Sequence, residues 1–341
     1  CGSGKTIMAL YLLAKLGKKT LIIVHKDFLL QQWKKQIETF IPNAKIGHIQ
    51  QKKVIVNDCD IVIGMMQSLS MREYDKSVFK SFGLVIVDEV HHICSKVFSN
   101  VIPKVSTARM LGLTATPQRK DRMEKVMFLT LGPILYRGKN MLDNPSLVKV
   151  YQIHMEYDSP YVLQYRDGRI GLAKMINWLV KNRKRNKIIC FQIYKLFETS
   201  KDRNILVLSD RICHLHEIYK QLVTNYNVDK EFIGYYIGGK KQKELDHVAE
   251  HCQIILATYS MSSEGLDIKK LNSLFLVTPR SNIEQSVGRI FRQLDVEHPP
   301  IIYDYCDEYS IFLNQGQKRL AYFSKKKYTK FSETYPSNFE L

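Results

Sequence analysis

The segment Gly2-Ser3-Gly4-Lys5-Thr6 constrains this chain more than any other. Small residues let successive backbone N–H groups wrap a phosphate chain, a lysine meets the β- and γ-phosphates, and a hydroxyl binds magnesium. The pattern therefore requires a strand, a tight loop and a helix N-terminus in that order. The complementary half is Asp88-Glu89-Val90-His91, an acidic pair after the apolar run Leu84-Val85-Ile86-Val87. Together the two halves predict one ATP and Mg2+ site, with Lys5 neutralising phosphate charge, Thr6 and Asp88 on the metal, and Glu89 polarising the attacking water. The first glycine of the phosphate-loop pattern would sit upstream of Cys1, after a strand of its own. The expectation is a first domain lacking its initial strand, in a fragment whose natural N-terminus lies upstream.

Short β-branched runs recur between helical stretches: Thr20–Val24, Asp60–Gly64, Leu84–Val87 and Met110–Leu113. Near-continuous hydrophobicity is what a strand covered on both faces requires, and its alternation with helices predicts an α/β fold with a doubly wound parallel sheet. Ligands bind at the carboxyl ends of such strands, which places His25, Gln67, Asp88 and Thr114 around one crevice. A loop-like stretch from Arg137 to Pro145 marks a boundary, giving domains 1–140 and 141–341. The second series reads as a strand over Val148–Tyr157, a helix over Leu172–Leu196, and strands over Asn204–Leu208, Phe232–Tyr236, Gln253–Ala257 and Leu274–Val277.

At 341 residues the chain has room for two cores, and no apolar run approaches the roughly 20 residues of a membrane helix. The seven cysteines are odd in number and form no C-x-x-C pair, which fits a reducing, intracellular compartment better than a disulfide framework or zinc ribbon. Cys213-His214-x-His216 and His251-Cys252 lie at the edges of apolar segments and read as packing rather than metal ligands. The formal net charge of +18 favours a polyanionic partner, nucleic acid ahead of a membrane surface. Basic residues concentrate in Lys181–Lys187 and again between Lys318 and Lys330, the latter read as a basic C-terminal tail; a solvated helix face and a soluble tail are the bland readings of these runs.

In this order the motifs resemble those of the superfamily 2 DExH-type helicases and translocases. Gly2 to Thr6 is similar to motif I, Asp88 to His91 to motif II, and Leu113-Thr114-Ala115-Thr116-Pro117 to motif III. Leu206 to Arg211 resembles motif IV, Ala257-Thr258 through Gly265-Leu266-Asp267 motif V, and Gln285-Ser286-Val287-Gly288-Arg289-Ile290-Phe291-Arg292 motif VI. Within the superfamily, Val24-His25-Lys26 leading to Gln32-Trp33, Arg119-Lys120-Asp121 after motif III, and Gly265-x-Asp267 resemble the XPB-like branch and the helicases of large DNA viruses and phages.

The resemblance implies two tandem RecA-like domains, a nucleic-acid-dependent ATPase, and ATP with Mg2+ as ligands. Gln285, Arg289 and Arg292 would serve catalysis as a glutamine and two arginine fingers on one helix face, and an arginine finger is worth about 10³–10⁵ in rate. Gly265 and Asp267 would lie near the nucleotide. His91, Thr114 and Thr116 would couple nucleotide state to movement. His25, Gln67, Ser68, Ser209, Arg211 and Thr258 would contact nucleic acid, largely through phosphates and so without sequence preference. DNA is the favoured track, with RNA possible, and transcription or repair machinery the implied partners. Two rivals stand beside unwinding: a translocase that displaces proteins or polymerase without separating strands, and a non-catalytic nucleic-acid-binding scaffold. Trp33, with Phe28, Leu29, Leu30 and Ile37 at helical spacing, is read as core rather than as a base-stacking residue. Asp304, Asp307 and Glu308 are read as structural.

Overall fold

The computed structural model describes residues 4–90, 100–105, 107–115, 124–136, 138, 145–264, 266, 268–291 and 298–339. The chain forms two compact units, Ser3–Asn140 and Met141–Leu341. In the first, a six-stranded sheet runs in the order β3-β2-β4-β1-β5-β6. Its strands are β1 (Thr20–Val24), β2 (Ile46–Gln50), β3 (Lys53–Ile55), β4 (Ile61–Met65), β5 (Leu84–Val87) and β6 (Met110–Gly112). All pairs are parallel except β2 with β3.

Successive strand residues point to opposite faces, so every residue of β1, β4 and β5 has to be apolar or small for both faces to be covered. One face carries Leu21, Ile23, Val62, Val85 and Val87. The other carries Ile22, Val24, Ile63 and Ile86, packed on Ala9, Leu10 and Leu13 of the helix Lys5–Leu16 and on Leu29, Leu30, Trp33 and Ile37 of the helix Asp27–Phe40. The first face is covered in turn by Met66 and Leu69 of the helix Met66–Met71, Val105 of Ile102–Val105 and Met127 of Glu124–Leu131, so helices lie on both sides of the sheet, and the loops that lead from strands to helices gather at its carboxyl edge.

The second unit is a seven-stranded, all-parallel sheet in the order β13-β7-β12-β11-β8-β10-β9. Its strands are β7 (Lys149–Met155), β8 (Ile205–Ser209), β9 (Ile233–Tyr236), β10 (Ile254–Thr258), β11 (Ser273–Leu276), β12 (Ile301–Asp307) and β13 (Thr329–Tyr335). Ile205, Val207, Ile254 and Leu256 pack toward the helices Arg183–Thr199 and Ile212–Asn225, whereas Leu206, Leu208, Ile255 and Ala257 pack toward Leu245, Ile283 and Val287.

Three expectations need correction. The single helix expected over Leu172–Leu196 is two, Leu172–Leu179 and Arg183–Thr199, because the Asn182 side chain accepts from Arg185 N and starts a new N-terminus there. The basic C-terminal tail is not a tail: it is the helix Ser310–Lys325 followed by β13, which pairs with β7 along seven residues. Nor are its basic residues all solvated. Arg319 is 2% exposed, and Arg185 of the other basic run is 0% exposed.

Those two arginines hold the carboxyl half of β12. Arg185 Nε and Nη2 donate to the two carboxylate oxygens of Asp307 at 2.8 and 3.1 Å, and Nη1 donates to Val277 O. Arg319 Nε donates to Asp304 Oδ1 at 2.6 Å, with Nη1 and Nη2 on the carbonyls of Arg280 and Tyr305. His154 Nδ1 and Glu308 Oε1 lie 2.5 Å apart. A buried guanidinium is tolerable only when both charge and donors are met, as they are here. The acidic group of β12 is therefore structural.

Candidate nucleotide and nucleic-acid sites

Gly4 has φ 69° and ψ 21°, the left-handed region that glycine enters without strain, and it delivers the chain into the helix Lys5–Leu16. No side chain caps this helix start, and its first turn holds no acid. A helix N-terminus so arranged offers amide donors and the positive end of its dipole to an anion. Lys5 and Thr6 open the helix, both half-buried.

Asp88 and Glu89 follow β5 at its carboxyl end. The backbone holds them from two sides: Asp88 N donates to Ile23 O at 3.0 Å, and Val90 N donates to Leu113 O at 2.9 Å, which ties the acidic loop to the segment carrying Thr114. Asp88 is 9% exposed, with Oδ2 accepting from Trp33 Nε1 at 2.8 Å and Oδ1 from Glu89 N at 2.9 Å. Burial raises its pKa and the Glu89 charge adds to that, against the Trp33 hydrogen bond, the Glu89 amide and the Lys5 ammonium. Lys5, Asp88 and Glu89 therefore share one electrostatic neighbourhood. Glu89 has φ 47°, a left-handed conformation that costs a residue with a Cβ about 1–2 kcal/mol.

His25, at the end of β1, is 8% exposed, and burial and then Lys26 lower its pKa, against Glu89 and Asp88. Its carbonyl accepts from Gln67 Nε2 at 2.7 Å, so His25 and Gln67 are brought together. Ser68 turns inward, where its hydroxyl accepts from Gln51 N at 2.8 Å.

In the second unit, Ser209 ends β8 and is fully buried. Its hydroxyl lies 3.1 Å from His214 Nδ1 and accepts from Arg211 N at 3.1 Å. Arg211 reaches the helix Leu172–Leu179, donating from Nε to Asn177 Oδ1 at 2.7 Å and from Nη2 to Ala173 O. Thr258 ends β10 with its hydroxyl 3.1 Å from Ser260 Oγ, at the start of the helix Tyr259–Glu264. Gln285 and Arg289 do not share one regular α-helix: the α-turn Glu284–Val287 passes into a 3-10 turn, Gly288–Phe291. Arg289 is 7% exposed and donates from Nη1 to Leu266 O at 2.8 Å, which joins the motif VI-like and motif V-like segments. The expected positions Gly2, Ser3, His91, Thr116, Gly265, Asp267 and Arg292 lie outside the described residues.

His214, read from the sequence as packing rather than as a metal ligand, has both ring nitrogens engaged, by Ser209 and Asn186. Trp33 is core, as expected, but its hydrogen bond to Asp88 was missed, because a contact across 55 residues leaves no local pattern. No cluster of three or more His, Cys, Asp or Glu suited to a metal exists among the described residues. Magnesium beside a nucleotide does not require one. It keeps several waters and takes one or two protein oxygens with substrate phosphates. Among the described residues each Asp88 oxygen accepts one hydrogen bond and keeps a lone pair, and the Thr6 hydroxyl is a second hard donor, so the residues fit that ion.

Comparison with known proteins agrees with this arrangement. Residues 1–119 match the family model described as type III restriction enzyme, res subunit. A protein of Acanthamoeba polyphaga mimivirus that carries the name of an ATP-dependent RNA helicase is 37% identical over the whole chain. A similarly named protein of African swine fever virus is 27% identical over 97% of it. The chain spans 66% and 68% of those relatives' own lengths. Among solved structures, a fragment described as an HsdR subunit of a type I restriction enzyme from Vibrio vulnificus covers 99% of this chain and 64% of its own, with TM-score 0.66 and 16% identity. S. cerevisiae Dbp5 bound to RNA and ADP BeF3 covers 94% of this chain and 78% of its own, with TM-score 0.57 and 11% identity. Both likenesses are of fold: two parallel-dominated sheets in tandem, the RecA-like pattern.

Proposed function

The chain belongs to the superfamily 2 helicases, and from that membership we propose that it is a nucleic-acid-dependent ATPase that moves along or unwinds duplexes, with DNA as its track. The observation that carries the reading is the convergence of Lys5, Asp88 and Glu89 on one neighbourhood beside an uncapped helix start. Lys5 and the helix amides bind the phosphates, and the Glu89 carboxylate orients and polarises the attacking water. Thr6 and Asp88 would hold Mg2+, which when bound neutralises charge on the phosphate oxygens. Arg289 and Arg292 are the proposed source of further positive charge in the transition state.

His25, Gln67, Arg211 and Thr258 are the proposed contacts to the nucleic-acid backbone. The side chains of Ser68 and Ser209 are turned inward, so only their backbone groups remain for that role. The names of the mimivirus and swine fever virus relatives favour RNA as a second reading of the track.

The test is ATP hydrolysis by the whole protein with single-stranded DNA, duplex DNA and RNA, beside Lys5→Ala and Glu89→Gln. Stimulation by one polymer that vanishes in both variants is expected, and the best activator names the track. Tight binding of nucleic acid with no turnover would leave a scaffold instead of a motor.

A further inference from the structure

We infer that Trp33 is a positioning residue for Asp88, holding the carboxylate proposed for magnesium in a fixed orientation. The helix Asp27–Phe40 buries Trp33 to 1% exposure against an apolar cluster that includes Leu29, Leu30 and Ile37. Packing alone asks for a large apolar ring. It does not ask for the indole N–H, a donor that has to find an acceptor once buried. That acceptor is Asp88 Oδ2, at 2.8 Å. The other oxygen of the same carboxylate accepts from Glu89 N at 2.9 Å. The terminal torsion of an aspartate is broad and roughly two-fold, so one donor on each oxygen turns a loosely set group into one with a single plane. A partner that orients a metal-side ligand is typically worth about 10–100-fold in metal affinity or activity. The core helix thereby reaches the reaction site through one hydrogen bond, between residues 55 apart in sequence.

This inference rests on the ATPase reading, and its test separates the two. In the whole protein, Trp33→Phe keeps an aromatic ring in the core and deletes the N–H. Mg2+ half-saturation of ATP hydrolysis should rise about 10-fold. At saturating Mg2+, kcat should return to within a few-fold of the parent, and ADP affinity measured by calorimetry without Mg2+ should be unchanged. Mn2+ binding to the ADP complex, followed by electron paramagnetic resonance, should weaken in parallel. A variant that melts lower yet keeps the parent's Mg2+ half-saturation would reduce Trp33 to packing and overturn the inference.

Should Trp33→Phe fail to fold, the unmutated side chain supplies the answer by its indole resonance. The chain has two tryptophans, Trp33 and Trp178, so a Trp178→Phe variant assigns the Trp33 indole N–H by nuclear magnetic resonance. Adding Mg2+ to the ADP-bound protein should move that signal; a stationary signal under saturation would overturn the inference. A wild-type protein that neither hydrolyses ATP nor binds ADP would overturn the ATPase reading, and this inference with it.

Discussion

His214 Nε2 lies 3.0 Å from Asn186 Oδ1 in the core of the second unit. The Asn186 amide nitrogen donates to Val180 O at 2.9 Å, so its oxygen faces the imidazole and can only accept. His214 therefore carries its proton on Nε2, and Nδ1 accepts the Ser209 hydroxyl proton. The Ser209 oxygen in turn receives the Arg211 amide. One directed chain of hydrogen bonds thus runs from the break between two helices to the Ser209–Arg211 loop proposed to meet nucleic acid. Buried networks in which every member is satisfied rigidify what they touch.

The first prediction follows from the proton on that ring. Burial first, and the Arg185 charge second, lower the His214 pKa well below its ordinary value. In the unfolded chain the same group takes up a proton near about pH 6.5, while the native ring refuses it. Below that pH the unfolded state binds more protons, so stability falls as pH falls, at up to about 1.4 kcal/mol per pH unit. Urea unfolding between pH 7 and pH 5 should show this slope in the parent and a shallower one in His214→Asn. Equal slopes would assign the pH dependence to other groups.

A second prediction concerns the ion pair of Arg185 and Asp307, both fully buried. Asp307→Asn leaves a buried guanidinium without its counter-charge and weakens the acceptor of the Tyr157 hydroxyl, which donates to Asp307 Oδ1 at 2.5 Å. The expected loss is about 3–5 kcal/mol. Replacing both partners by apolar residues of similar volume should cost much less than the sum of the single changes. Additive single and double variants in denaturant unfolding would contradict this.

The buried strands were legible in the sequence because burial on both faces forces an unbroken apolar run, as in Leu21 to Val24 and Ile205 to Leu208. Strands with a polar or exposed face were not: β2, which lies between β3 and β4, alternates half-buried and buried residues and includes His48 and Gln50, and the edge strand β13 is exposed along all but Tyr335. Polar residues and a lysine are what an edge strand uses against unwanted pairing, so β13 read as a tail. The burial of Arg185 and Arg319 was hidden for a related reason: a charge run reads as solvated until the partner carboxylates on another element are known. Lys5, Asp88 and Glu89 were legible because phosphate chemistry fixes their residue types and spacing. The Trp33 bond to Asp88 was not, since no spacing rule links a helix interior to a distant strand end.

Gly47 supplies a third prediction. A Cβ built there would lie 2.1 Å from the Ile55 carbonyl oxygen and 2.9 Å from Cys59 Sγ, and backbone cannot step aside as a flexible side chain can. Gly47→Ala should cost about 1–3 kcal/mol. The damage should be local: amide protection should fall in β2 and β3 and persist in β1 and β4. Uniform loss of protection, or none, would show that the close approach is relieved some other way.

The last prediction sets stability against chemistry at Glu89. Its φ of 47° lies where glycine is unstrained and a residue with a Cβ is not. Strain of this kind persists at functional sites because the surrounding structure over-determines it, here through the Asp88 and Val90 amide bonds on either side. Two replacements separate the backbone cost from the side chain. Glu89→Gln keeps the size, the polarity and the strain, whereas Glu89→Gly removes all three. Both should abolish stimulated ATP hydrolysis while leaving ADP binding intact, since neither touches Lys5 or the helix start. Their stabilities should differ. The glycine variant should be the more stable of the two by up to about 1 kcal/mol, the left-handed penalty less the extra chain entropy glycine brings to the unfolded state. A glutamine variant as stable as the glycine variant would mean that the backbone turn at Glu89 is not strained, and that the conformation is set by the loop alone.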